Sequence, residues 1–183
     1  ILNSIQKGEI SNCQLLVRLH PNDNPDEYIK FNNIPNVVIQ YPYNETSLEN
    51  QGLNFLFDNK KRKLLANSIY HSDVVVSVAS TIGIEACIFN TPIIDVGFKC
   101  SVNPEIVSEI RDVYNFTHYK RFVNSNSNDI AKSSADLISL ININIDNPQA
   151  KKLNRLKAID KFAYKIDGRS AKRSIEAIKK RIF

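Results

Sequence analysis

The residues best suited to chemistry lie between Ser80 and Glu85. Ser80 and Thr81 follow the apolar run DVVVSVA and stand where a helix is expected to begin. Hydroxyl side chains at such a position cap free backbone N–H groups, and the same N–H groups, with the helix dipole behind them, bind phosphate. Gly83, in the first turn, would let a ligand or a neighbouring strand come close. Glu85 stands among isoleucines and could accept both hydroxyls of a ribose.

Each of these residues also has a simpler interpretation. Ser80 and Thr81 fit plain helix capping equally well. Glu85 fits a surface glutamate on an amphipathic helix, although its neighbours are unusually apolar for that role.

Two other strand ends carry polar side chains. Arg18 and His20 end the run QLLVRLH before Pro21, and Ser77 lies near the end of DVVVSVA. Ligands of parallel α/β sheets bind beyond the carboxyl ends of the strands. We therefore expect these side chains, and the segment Gly97-Phe98-Lys99, at one edge of a sheet. A lone histidine after a strand often only bonds to backbone, which is the alternative for His20.

The elements that position these residues alternate between strand and helix. Hydrophobic patterns and turn residues predict strands at 14–20, 36–41, 73–79 and 91–98, a short helix at 25–31, and a loop at 43–54. They predict helices at 1–10, 60–72, 80–89, 104–111, 128–143, 150–166 and 170–181. This order predicts a doubly wound, Rossmann-like parallel α/β sheet with extra C-terminal helices, in one domain spanning 1–183.

The central run resembles a known family. DVVVSVASTIGIEACIFNTPIIDVGF is similar to the nucleotide-binding signature of the C-terminal half of GT-B glycosyltransferases. That group includes bacterial cell-surface and capsule polysaccharide transferases and the CDP-glycerol glycerophosphotransferases. The matching parts are the strand at 74–76, Ser80-Thr81, Glu85, the small-Pro step Thr91-Pro92 and the strand at 93–96.

Two shorter segments also resemble these transferases. Arg18-Leu19-His20-Pro21 is similar to their K/R-x-H-P strand end, and Asp167-Gly168-Arg169-Ser170 with Arg173 is similar to the closing D-G-x-x-x-x-R of the CDP-glycerol type. One departure is Val78-Ala79-Ser80, which stands where relatives have a glycine-rich turn.

The resemblance implies a binding site for a UDP- or CDP-linked donor. The diphosphate would lie at the helix beginning at Ser80, Glu85 would hold the ribose, and His20 would face the diphosphate or the transferred group. Arg18, Ser77 and Thr81 complete the implied substrate-binding set. No metal or cofactor is implied, and His20 is the sole catalytic candidate. The acceptor-binding half would lie outside this chain, so we expect the chain alone to bind donor weakly and to catalyse nothing.

Two other functions remain open. The same fold could be half of a non-hydrolysing UDP-sugar 2-epimerase, or a non-catalytic α/β interaction module. Interconversion of a UDP-sugar without any acceptor would favour the epimerase, and absence of nucleotide binding would favour the module.

Positive charge is concentrated at the end of the chain. Residues 151–183 carry 12 Lys/Arg and 3 Asp/Glu, whereas residues 1–150 carry 12 and 16. Ala171, Ile175, Ile178 and Ile182 recur at helical spacing, which predicts a basic helix packed on its own domain. Peripheral contact with the inner face of a membrane is the alternative. Aromatic residues are too scattered for a nucleic-acid stacking platform, so no nucleic acid is expected.

Composition favours a cytoplasmic protein. Cys13, Cys87 and Cys100 are an odd set without C-x-x-C spacing, which indicates reduced thiols rather than disulfides or a zinc site. No apolar run reaches the ~20 residues of a membrane span. The chain starts at Ile1 inside a helical pattern, and we expect it to be a fragment of a larger two-domain protein.

Overall fold

The computed structural model describes residues 1–10, 12–20, 23–41, 59–98 and 113–182, which form two compact units, Ile1–Leu64 and Leu65–Phe183. The expected loop at 43–54, the expected helix at 104–111, and Pro21, Lys99 and Cys100 lie outside the described residues.

The first unit is built around two parallel strands. Helix α1 (Leu2–Gln6) precedes strand β1 (Leu15–Arg18), a 3-10 helix spans Pro25–Phe31, and β2 (Val37–Gln40) follows. The strands pair in parallel from Leu15↔Val37 to Arg18↔Gln40. The 3-10 helix begins after Asn24, whose side chain accepts a hydrogen bond from the Asp26 N–H at 3.2 Å. Proline at the first helical position needs no N–H partner, so Pro25 fits there.

The second unit contains a three-stranded parallel sheet in the order β3–β4–β5. Helix α2 (Asn59–Tyr70) contains the boundary between the units and is followed by β3 (Val75–Ser77), α3 (Ile82–Phe89) and β4 (Ile93–Val96). Next come α4 (Thr117–Val123), β5 (Asp129–Ala131), α5 (Ser134–Asp146), α6 (Lys152–Phe162) and α7 (Ser170–Ile182). A mixed α/β protein with short parallel sheets is thereby confirmed.

The core of the second unit lies where α3 packs against the sheet and α6. Its buried side chains are Ile69, Ala86, Cys87, Ile93, Tyr119, Phe122, Ala158 and Ile159. Parallel strands need apolar residues on both faces, and β4 supplies them with Ile93 and Ile94.

A buried arginine ties α6 to the end of α3. Arg155 is 1% exposed, and its Nε donates to Asn90 Oδ1 at 2.9 Å. Asn90 ends α3 in the left-handed conformation, with φ of 58°. Arg155 Nη2 also donates to the carbonyl of Pro148 at 2.5 Å. These bonds supply the partners that a buried guanidinium requires.

Two sequence-based expectations differ from the structure. The helix expected at 128–143 begins only at Ser134, because Asp129–Ala131 pairs with β4 as a third strand. The helix α7 was expected to pack on the domain, yet it contains no buried residue. The strand at Asp129–Ala131 depends on its pairing with β4, because the local sequence favours a strand only weakly.

Candidate functional site

The turn from β3 to α3 contains most of the predicted site residues. Ser77 ends β3 and pairs in register with Asp95 of β4. Ala79 then takes a φ of +33°, a backbone conformation that a residue with a side chain adopts only with strain. Glycine would adopt this conformation without cost. Ala79 thus has the backbone conformation of a glycine at the position where the similar transferases have a glycine-rich turn.

Capping of α3 comes from Ser80 rather than Thr81. Ser80 Oγ accepts a hydrogen bond from the Ile82 N–H at 3.4 Å, whereas Thr81, the N-cap residue, makes no capping side-chain bond. The next amides are already used within the helix, because the N–H of Gly83 donates to Ser80 O at 3.1 Å and that of Ile84 to Thr81 O at 2.9 Å. A phosphate at this helix start would therefore meet the amide of Thr81, and it would have to replace Ser80 Oγ at the amide of Ile82.

One side of the turn is filled by aromatic rings. A Cβ added to Gly83 would lie 2.8 Å from Phe122 Cε1 and 3.7 Å from the hydroxyl of Tyr119. Both rings belong to α4 and are buried. The small residue at position 83 thus admits the rings of α4, whereas the sequence suggested a ligand or a neighbouring strand at this position.

The other side of the turn carries Thr81 and Glu85. These residues are four positions apart, so they share a face of the helix start, and the buried residues Gly83, Ala86 and Cys87 lie on the opposite side. Thr81 is exposed and Glu85 is half-buried. A ligand therefore has access to the turn from the Thr81 and Glu85 side.

A buried carboxyl group lies beside the turn, and the sequence reasoning missed it. Asp95 of β4 is 0% exposed. Its Oδ2 accepts hydrogen bonds from the Tyr119 hydroxyl at 2.7 Å and from Asn128 Nδ2 at 2.6 Å. Its Oδ1 has no hydrogen-bond partner in the described part of the chain. The sequence contains one sign of this group, an aspartate within the apolar run IIDV. Because aspartate is rarely buried unless it is paired, its position in a buried strand indicates polar partners nearby.

Burial shifts the pKa values in this cluster. It raises the pKa of Asp95, while the hydrogen bonds from Tyr119 and Asn128 act in the opposite direction. Burial also raises the pKa of Tyr119, and the hydrogen bond to Asp95 raises it further. Tyr114, whose hydroxyl donates to Val96 O at 2.7 Å, has a raised pKa because of burial and the nearby Asp95 charge. Hydrogen bonds with the backbone of Ser80 and of Ala79 act in the opposite direction, because they lower the pKa of Tyr119 and of Tyr114, respectively. Both hydroxyls therefore lie next to the turn.

The remaining predicted site residues belong to the first unit. The Arg18 guanidinium donates to Gln40 Oε1, its register partner on β2. The backbone of His20 forms a turn with Asp23, because the His20 N–H donates to Asp23 Oδ2 at 2.7 Å and its carbonyl accepts from the Asp23 N–H at 2.9 Å. The His20 side chain is exposed.

A scan against protein-family models finds no match to this chain, and searches of the curated proteins and of the solved structures find none either. Within the described residues, no group of three or more His, Cys, Asp or Glu side chains could hold a metal ion.

Proposed function

We propose that the β3–α3 turn binds the diphosphate of a nucleotide-activated donor. On this proposal the chain is the donor-binding, Rossmann-like half of a GT-B glycosyltransferase or glycerophosphotransferase that builds a bacterial surface polymer. The observation that carries the proposal is the strand–turn–helix geometry, in which Ser80 and Thr81 begin α3 at the carboxyl end of β3.

The chemistry of the turn supports an anionic ligand. The Thr81 amide and the dipole of α3 offer partial positive charge, which stabilises phosphate oxygens. The same groups would stabilise the negative charge that develops on a diphosphate leaving group. Glu85 would accept hydrogen bonds from the ribose hydroxyls, because it shares the accessible face of the turn with Thr81.

Calorimetric titration with UDP, CDP and their monophosphates tests the proposal. We expect weak binding of a diphosphate, weaker binding of its monophosphate, and a loss of about 1–3 kcal/mol in binding free energy for Glu85→Ala, the usual result of leaving polar partners unpaired. Glu176→Ala, which removes an exposed carboxylate from α7, is the matched control and should bind like the wild type.

Two outcomes would contradict the proposal. Absence of binding to every nucleotide would leave a non-catalytic α/β module as the better description. Equal affinities for the wild type and Glu85→Ala would remove the ribose role from Glu85.

A further inference from the structure

The C-terminal helix α7 presents an uncovered apolar face. Ile175, Ile178 and Ile182 are 54%, 56% and 68% exposed. Their spacing places them, with Ala171, along one face of the helix. No residue of α7 is buried, so this face has an apolar surface that the described part of the chain does not cover.

Basic side chains flank that apolar face. With 3.6 residues per turn, Lys172 and Lys179 lie along one border of the isoleucines and Arg181 lies along the other. The helix contains five basic residues and one acidic residue, Glu176. Among the described residues, the ion pairs of α7 involve Lys172 and Arg173. The positive charge of the helix that can attract an anionic partner therefore comes from Lys179, Lys180 and Arg181.

The start of α7 is fixed by a local hydrogen-bond network. Both Asp167 carboxylate oxygens accept from Arg173 Nη1 at 2.8 Å, and Oδ1 also accepts from the Arg169 N–H at 3.0 Å. Arg173 lies 5.5 Å from the ring centre of Tyr164, and Gly168 provides the left-handed turn with φ of +69°. The segment that resembles the closing D-G-x-x-x-x-R motif therefore serves to orient α7.

We propose that α7 lies in the surface of an anionic lipid bilayer, with the isoleucines among the acyl chains and the flanking lysines and arginine at the head groups. A helix of 13 residues is about 20 Å long, shorter than the ~30 Å hydrocarbon core. No helix within the described residues is long and apolar enough to cross a membrane. The charge on both borders favours lipid over an apolar protein groove, because anionic head groups complement Lys179 on one border and Arg181 on the other.

Vesicle co-sedimentation of the whole chain tests this proposal. We expect binding to phosphatidylglycerol vesicles, little binding to phosphatidylcholine vesicles, and a decrease as salt is raised. Ile175→Ser with Ile178→Ser should lower the partition coefficient at least about ten-fold by removing buried apolar area. Lys179→Gln with Lys180→Gln should lower it by about ten-fold or more.

Matched controls isolate α7 from the rest of the basic surface. Leu153→Ser with Leu156→Ser removes two exposed leucines from α6, and Lys120→Gln with Arg121→Gln removes two exposed positive charges from α4. Both controls should bind vesicles like the wild type. Circular dichroism should show unchanged helix content in the variant with Ile175→Ser and Ile178→Ser, since serine and isoleucine have similar helix propensities.

Three results would overturn the proposal. The first is absence of wild-type binding to phosphatidylglycerol vesicles. The second is an equal loss of binding in the α6 or α4 controls. The third is a dimer in sedimentation velocity that Ile175→Ser with Ile178→Ser dissociates while vesicle binding stays unchanged, because a second copy of the chain would then cover the apolar face.

Discussion

Replacing Gly83 by alanine tests how the start of α3 is packed. The added Cβ would lie 2.8 Å from Cε1 and 3.0 Å from Cζ of Phe122, where carbon atoms normally pack about 3.5–4.0 Å apart. Phe122 is 2% exposed, and its ring packs against Tyr119 and Phe162 with centroid distances of 5.6 and 5.8 Å. The ring is therefore buried between two aromatic neighbours, and the methyl group must displace it and strain the core.

Two opposing terms determine the size of the effect. Overpacking a well-packed core costs about 1–3 kcal/mol. Alanine in place of glycine within a helix returns about 0.5–1 kcal/mol. Gly83→Ala should therefore destabilise the protein by about 1 kcal/mol, which lowers the Tm by about 2–4 °C in a chain of this length.

A double-mutant cycle with Phe122→Leu tests whether the effect of Gly83→Ala on stability changes sign when the ring is removed. Once the ring is removed, the methyl group at position 83 has room, so Gly83→Ala should stabilise the Phe122→Leu variant by about 0.5–1 kcal/mol. The chain contains no tryptophan, so unfolding is best followed by far-ultraviolet circular dichroism. If Gly83→Ala raised the Tm equally in both backgrounds, the close packing of α4 on the start of α3 would be refuted.

Two further predictions concern residues next to the same turn. Because burial raises the pKa of Asp95 above its ordinary value of 3.8, the folded state holds the proton more tightly, and wild-type stability should fall as pH rises from about 4 through the raised pKa. Asp95→Asn should lack this fall, so the difference in Tm between the two proteins should change with pH in favour of the wild type in acid, and parallel Tm profiles would contradict the shift. Ala79→Gly should keep or raise the Tm by relieving a positive φ that costs about 1 kcal/mol. The control Ala158→Gly, inside α6, should lower the free energy of unfolding by at least about 1 kcal/mol and so lower the Tm.

The parts of the fold that the sequence predicts are those with strong local patterns. The apolar runs LLVR, VVIQ and IIDV form β1, β2 and β4 as expected, and their parallel pairing follows from the helices between them. β5 was missed because Asp129-Ile130-Ala131 is short and begins with a poor strand former. Its pairing with β4 is a tertiary interaction that no local window contains.

The candidate site was predicted in part. The sequence located the turn and its hydroxyl and carboxylate side chains, because they stand next to one another in the chain. It did not predict the aromatic rings of α4 beside Gly83, which come from about 40 residues away, or the contact between Tyr119 and Asp95. Such long-range contacts depend on how α4 packs, and helical periodicity alone does not determine that packing.

The exposure of α7 was not predicted either. Helical spacing of isoleucines indicates an apolar face, but the same pattern describes a helix packed on its own domain and one that faces another surface. Ile175, Ile178 and Ile182 are exposed within the described part of the chain, and the sequence pattern does not contain that information.

Amide chemical-shift mapping with UDP and CDP tests the central claim most directly, because it reports on the backbone N–H groups assigned to the diphosphate. We expect the largest nucleotide-dependent shifts at Ser80, Thr81 and Ile82, with smaller shifts at Glu85, and weaker effects from the monophosphates. Unchanged resonances at 80–82 at saturating nucleotide, or shifts confined to other parts of the chain, would contradict a diphosphate site at the start of α3.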